Sequence, residues 1–442
     1  MHPNLIRALF LSAFACGFLL ESGLDFLNRR EILRHPRLPE RFTRAPFAGR
    51  FTPEGYARSR AYALERLAFG GLARLWSAAI GLGLLFSGCL PAFDHALMRA
   101  FGDGLSRGVL FLAGATAVPA LLNLPFAAWS TFRIEGKYGF NTMTWGLFWR
   151  DTARELALSA ALGLPLLYAL MAFFRFAGAR WWLWALAFAL LYQVFLLFLY
   201  PGIIAPLFNR FTPLAEGDLR RAILSLADRL RFPSAGIFVM DGSRRSLHAN
   251  AYFTGFGRFR RIVLFDTLLR RMEQNELVAV LAHEIGHYRL KHVRTMLLMQ
   301  AFLLGALLFV ASLALRFPPL YQAFGFPAHD LAAAASAARP LAAAFAGSPA
   351  PGLYLFIAVF SAFGPLFAPL QNLVSRRHEY QADAFAVAAT RDPDAMRSAL
   401  IKLSEQNLSN LTPHPWYSAF HFSHPTLIER VLSIERAAAS SA

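Results

Sequence analysis

Apolar residues in this chain gather into runs, and polar residues fill the gaps between them. The runs at 5–27, 68–93, 107–129, 156–176, 180–205, 295–316 and 352–373 each reach about the twenty residues that a helix needs to cross the hydrocarbon core of a bilayer. Lipid offers no water to pair exposed peptide groups, so a run of this kind in a membrane is a helix.

Residues 206–294 follow another pattern. A polar helix over Gly217–Arg231 stops at Phe232-Pro233, a strand follows at Gly236–Met240, and Asp241-Gly242 turns the chain. His248–Gly255 and Arg260–Phe265, with β-branched and aromatic residues, read as further strand-like segments. Glu273-Gln274-Asn275-Glu276 then caps a helix whose apolar face begins with Leu277, Val278, Val280 and Leu281. The expected fold is mainly α, a multi-spanning membrane protein with a small β-sheet beside its polar helices. It divides into five spans with basic loops at 1–205, a sheet-bearing part at 206–294, two further spans at 295–373 and a mostly helical part at 374–442. The Ala-rich stretch 329–351 reads as a variable external loop with a weak amphipathic segment, without assigned function. No internal repeat is evident.

Composition strengthens the membrane reading. The chain is 56% hydrophobic and 16% charged, with 43 Phe, whereas a soluble domain is about a quarter charged. A net charge of +17 raises the question of nucleic acid. The Arg residues lie mostly between the apolar runs, however, and no aromatic-basic module is present, so nucleic-acid binding is set aside. Ten Arg fall in 28–67, the 94–106 loop is nearly neutral, 130–155 is basic again, and 209–294 is dense in Arg. The link near 177–179 has no charge, Arg339 is the only Arg or Lys in 317–351, and the tail from Ser375 is charged. This alternation follows the positive-inside rule for seven crossings, which places the N-terminus outside and both polar parts in the cytoplasm. Cys16 and Cys89 both lie in apolar runs, which excludes a disulfide framework. Ala13-Phe14-Ala15 faintly resembles a cleavage site, but the apolar run continues to Leu20, so the first span reads as uncleaved.

The candidate chemistry is concentrated in His283-Glu284-Ile285-Gly286-His287. Residues four apart share a helix face, so both imidazoles can bind one metal ion, while Glu284 can reach a water beside it. Gly286 costs helix stability, roughly 1 kcal/mol against Ala, a cost consistent with another backbone packing closely there. A hydrolytic zinc needs three protein ligands and an open position. The candidate third ligand lies in Ser375-Arg376-Arg377-His378-Glu379-Tyr380-Gln381-Ala382-Asp383. There Glu379 and Asp383 share a face, so that Glu379 can ligate and Asp383 can take a ring N–H from a ligating histidine. The same spacing describes an ordinary solvated helix, and spacing alone does not choose between them. His292 lies off the ligand face and reads as an interface residue, and His378 reads as exposed or else as a support behind the ligands.

Five further segments carry a resemblance. They are Thr131-Phe132-Arg133-Ile134-Glu135-Gly136-Lys137-Tyr138-Gly139-Phe140-Asn141, Tyr200-Pro201 through Pro206-Leu207-Phe208-Asn209, Ser243-Arg244-Arg245-Ser246-Leu247-His248-Ala249-Asn250-Ala251-Tyr252-Phe253, Arg261-Ile262-Val263-Leu264-Phe265-Asp266-Thr267-Leu268, and His424-Pro425 with Glu429-Arg430. In their order and spacing the chain resembles the integral-membrane, zinc-dependent CAAX prenyl endopeptidases of type I, of the gluzincin group, over nearly its whole length. The resemblance implies one zinc per chain, held by His283, His287 and Glu379, with Glu284 as catalytic base. It further implies Asp383 as a carboxylate behind a ligand, His424 at the transition state, Arg430 nearby in support of substrate, and Asn250 on the substrate backbone. The fold it implies is a ring of seven spans around a water-filled chamber, with the metal near the cytoplasmic end. His378 stands where the family usually has an aromatic, and 329–351 has no familiar counterpart.

The expected activity is peptide-bond hydrolysis near the C-terminus of protein or peptide substrates, prenylated or not, within membrane lipid. A membrane quality-control metalloprotease is the nearest alternative, although its relatives usually have fewer spans. A transporter would call for paired half-helices, which do not appear. A zinc-stabilised scaffold would have no need of Glu284. Three Lys (Lys137, Lys291, Lys402) against many Arg and Ala, and no dilysine or Lys-Asp-Glu-Leu tail, point to a bacterial inner membrane, where the substrate can be an unmodified peptide. Oligomeric state is not legible.

Overall fold

Each long apolar run satisfies its own backbone as a helix, and the computed structural model, which describes residues 2–255, 260–328 and 345–441, is built around these helices. Those long and apolar enough to span are Pro3–Arg34, Pro53–Phe86, Leu105–Glu135, Trp145–Phe176, Gly178–Phe208 and His292–Ala314. Pro349–Ser361 and Gly364–Thr390, bent by 68°, together are apolar enough to make a seventh crossing if the pair counts as one span. Only 6–22% of the most apolar stretch of each of the six is buried within protein, so the remaining faces need lipid.

Two spans differ from expectation. The second ends at Phe86, because Gly88 takes a left-handed φ of +78° and Cys89–Phe101 departs as a separate helix. The last is a broken pair, whose second helix starts at Gly364-Pro365 and runs on to Thr390. No breaker interrupts it after Pro369, so the predicted boundary at 373 falls within one continuous helix, here called the ligand helix. Residues 329–344 of the Ala-rich loop lie outside the described residues.

The small sheet contains β1 (Phe211–Pro213), β2 (Ile237–Met240), β3 (Ala251–Thr254) and β4 (Arg261–Phe265) in the order β1-β2-β4-β3. β2 and β4 are parallel with Ile237 opposite Ile262, whereas β3 runs antiparallel to β4 with Ala251 opposite Leu264. β1 was not anticipated, since three residues are too few to display a two-residue period. β3 is an edge strand, and it precedes the metal helix, Gln274–Arg289.

One hydrophobic core joins the two polar parts of the sequence. Ile262 and Leu264 of β4 pack with Ile223 and Leu226 from helix Asp218–Arg229 and with Leu277, Leu281 and Ile285 of the metal helix. Ala386, Val387, Met396 and Ile434, from beyond the last span, complete the same core. Burial of each such Leu or Ile contributes about 1.5–3 kcal/mol. Smaller clusters fasten the basic loops to it: Phe42, Phe47, Phe51 and Tyr56 meet Ile401, Leu411 and Val431, while Tyr62, Ile134, Tyr138 and Phe140 meet Leu408.

The start of the metal helix is held by a reciprocal cap between Glu273 and Glu276. The buried Glu276 carboxylate accepts the Glu273 N–H at 2.8 Å and the Ser398 hydroxyl at 2.6 Å, and it lies 2.7 Å from Lys402 Nζ. Burial works against its charge, but the Lys402 and Ser398 hydrogen bonds and the cap outweigh it, holding the carboxyl below its ordinary value of 4.5. A lowered folded pKa stabilises the fold fully above the unfolded value and loses that contribution as pH falls through the folded one. Glu276→Gln is therefore expected to unfold at lower temperature than wild type at pH 7 in detergent. That difference should shrink progressively as pH falls below 4.5.

Candidate metal centre

Gly286 sets the distance between the metal helix and the ligand helix. A Cβ on it would lie 3.1 Å from Phe385 Cδ1 and 3.3 Å from the Ala382 Cα, closer than neighbours normally tolerate. The missing side chain lets the two helices meet face to face, and Glu379 then falls between the two imidazoles. His283 Nε2 and His287 Nε2 are 3.2 Å apart, and Glu379 oxygens lie 3.5 Å from the first and 3.3 Å from the second.

These separations fit a metal. Donors about 2.0–2.1 Å from a tetrahedral zinc stand about 3.3–3.4 Å from one another. Glu379 Oε2 is buried without a hydrogen-bond partner, an acceptor that a cation would satisfy. Each imidazole also has its other nitrogen engaged, His283 Nδ1 at 2.8 Å from Asp383 Oδ1 and His287 Nδ1 at 3.1 Å from His292 Nδ1. A ring that donates from Nδ1 presents the lone pair of Nε2, as a ligand must. Among the described residues, His283, His287 and Glu379 form the group with metal-holding spacing.

Behind the donors lies a charged clamp. Arg430 donates to both oxygens of the fully buried Asp383, at 2.9 and 2.6 Å, and its Nη1 is 3.4 Å from Glu379 Oε2. The resemblance suggested a substrate role for Arg430. It borders the cavity, and its guanidinium also pairs with these carboxylates. A planar fork matched to a carboxylate is the strongest way to hold a buried anion.

The remaining candidates surround open space. His424 stands at the mouth, largely exposed, with Nε2 3.4 Å from Glu379 Oε1 and Nδ1 2.9 Å from Ser423 Oγ. Asn250 immediately precedes β3, and its Oδ1 accepts the Ala251 N–H at 2.9 Å. With Ala251, His283, Glu379 and His424 it lines a cavity of about 630 Å³. A second, more apolar cavity of about 1140 Å³ lies across the metal helix, walled by Leu196, Leu197, Phe253, His287, Met296 and Leu297. Glu284 borders both cavities, and burial pushes its carboxyl above the ordinary carboxylate range.

Sequence reasoning read His292 as an interface residue without naming its partners, and gave Gln381 no role. His292 Nε2 is 2.9 Å from Gln381 Oε1, and the His378 ring stacks on His292 at 4.0 Å. The one available signal was a third histidine five residues after His287, and helical periodicity hides it because a turn intervenes.

Membrane spans, an edge strand and a metal-spaced donor set beside a buried carboxyl define a class, the membrane-embedded metallopeptidases. Residues 29–210 match the model of the CAAX prenyl protease N-terminal region with five membrane helices, and residues 213–438 match peptidase family M48. The chain is 36% identical to a CAAX prenyl protease 1 homolog of Arabidopsis thaliana, covering 95% of each protein, and 32% identical to CAAX prenyl protease 1 of Saccharomyces cerevisiae, covering 98% of this chain and 96% of that protein. The crystal structure of S. mikatae Ste24p superposes with a TM-score of 0.87 at 30% identity, covering 97% of this chain and 99% of that one. The chain belongs to peptidase family M48, among its integral-membrane CAAX prenyl proteases. It is a multi-pass membrane metalloendopeptidase.

The close helix contact can be tested directly. Gly286→Val adds both bulk and β-branching against Phe385 and Ala382, and is expected to destabilise the protein by about 1–3 kcal/mol. Bound metal should fall with it, as read by thermal unfolding and by metal content of the purified variant.

Proposed function

We propose that the protein is a zinc endopeptidase with one zinc per chain, held by His283, His287 and Glu379, that cuts near the C-terminus of protein or peptide substrates. The observation that carries this reading is the 3.2–3.5 Å donor triangle, with Glu284 beside it at the junction of two cavities. When bound there, zinc supplies a positive charge that lowers the pKa of water toward about 7 and polarises the scissile carbonyl. Glu284 takes the proton from the attacking water and delivers it to the leaving amine, a role suited by its raised pKa. His424, from the mouth of the cavity, donates to the developing oxyanion. The edge of β3 holds the peptide in extended form, with Asn250 on its backbone. Asp383 and Arg430 keep His283 in the ligating tautomer.

The relatives are named for prenylated C-terminal motifs. The apolar wall of the larger cavity suits a substrate carrying an isoprenoid, and the smaller, more polar cavity suits plain peptide. The Arg-rich loops, which pack against the C-terminal helices, support a site on the cytoplasmic side and an N-terminus outside.

Purified Glu284→Gln is expected to keep zinc and lose cleavage of both farnesylated and plain peptides, whereas His287→Ala should lose both zinc and cleavage. His424→Ala should retain zinc while kcat falls about 100-fold or more. Full peptidase activity in Glu284→Gln would sink the mechanism, and a zinc-free wild type would sink the metal assignment. Cleavage of farnesylated peptide alone, or of both peptides equally, decides the substrate class.

A further inference from the structure

The metal helix and the following span helix are joined by a sharp reversal. Leu290 donates to the Gly286 carbonyl at 2.9 Å, and Lys291 takes a left-handed φ of +61° before the helix His292–Ala314 begins. This reversal turns His292 back onto the metal helix, where it is buried at 4% exposure. Its Nδ1 lies 3.1 Å from His287 Nδ1 and its Nε2 2.9 Å from Gln381 Oε1. The His378 ring covers one face of it, nearly parallel at 10°.

The chemistry of the partners sets the direction of these hydrogen bonds. An amide oxygen only accepts, so the proton of a neutral His292 sits on Nε2 and its Nδ1 is an acceptor. His287 Nδ1 must then donate, which leaves the lone pair of His287 Nε2 directed at His283 and Glu379. The other imidazole is fixed in a different way, by the ionised Asp383–Arg430 pair. One histidine is thus backed by charge and the other by a neutral relay. Gln381 and Glu379 are two residues apart on the ligand helix, so the relay also ties His287 to the helix carrying the third donor.

We propose that His292 is a positioning residue: it accepts the Nδ1–H of His287 and passes the orientation on to Gln381, fixing His287 in the tautomer and direction that ligate metal. This rests on the metal-site reading above. A residue that merely filled space at 292 would be replaceable by any side chain of similar volume, whereas the relay needs an acceptor at the place of Nδ1. Asn supplies one through Oδ1, and Leu supplies none.

The test uses full-length protein in detergent, stripped of metal and titrated with zinc against a chromophoric chelator. His292→Leu is expected to bind zinc about 10–100-fold more weakly than wild type, and His292→Asn to recover most of that loss, to within about threefold. Cobalt loaded in place of zinc should give visible bands that shift in His292→Leu and return in His292→Asn. Gln381→Leu, which removes only the far acceptor, is expected to lose about tenfold and covers the case in which His292→Leu does not fold. Wild-type affinity in His292→Leu, or equal weakening in His292→Leu and His292→Asn, would overturn the relay. Wild-type protein that binds no zinc, or His287→Ala that binds it normally, would overturn the metal site itself.

Discussion

Everything in this molecule that bears on chemistry depends on bringing one buried carboxylate between two imidazoles. Glu379 and Asp383 are both removed from water, on a helix that emerges from a membrane crossing. Taking such charges out of water costs several kcal/mol each unless opposite charge and hydrogen bonds replace the solvent. The fold meets this demand with Arg430, with the histidine nitrogens, and with a donor triangle open to a cation. Gly286 supplies the closeness, because a Cβ at that position would crowd Phe385 and Ala382 on the facing helix.

The surrounding elements keep that helix pair in register. The capping pair Glu273–Glu276 and the contact with Lys402 tie the start of the metal helix to the C-terminal part, while a left-handed Lys291 fixes its other end to a span. The shared core of β4, helix Asp218–Arg229 and the C-terminal helices closes over it. These constraints place the donor set where membrane helices meet a soluble-type core, with cavities of different polarity on its two sides.

Much of this was written in local patterns. Runs of apolar residues announced the spans, and polar loops rich in Arg marked their ends. The His-Glu-x-x-His spacing placed two donors on one face, because helical geometry makes residues four apart neighbours. Capping residues before Leu277 gave the start of the metal helix. Even the cost of Gly286 hinted at a close approach, though not at the partner.

What the sequence could not fix was which distant residues would meet. Glu379 and Asp383 had the spacing of a surface helix as much as of a ligand helix, and only the packing against Gly286 distinguishes the two. That the Arg430 guanidinium would meet Asp383, 47 residues away along the chain, was not legible either. His292 fell off the ligand face in helical periodicity, and a single left-handed residue brought it back against His287. Periodicity and capping are properties of neighbours along the chain, so the sequence determined the elements and two of the three candidate donors, His283 and His287. Contacts between helices far apart in sequence depend on side-chain shape and burial in three dimensions, so only the tertiary structure decided how that set was completed.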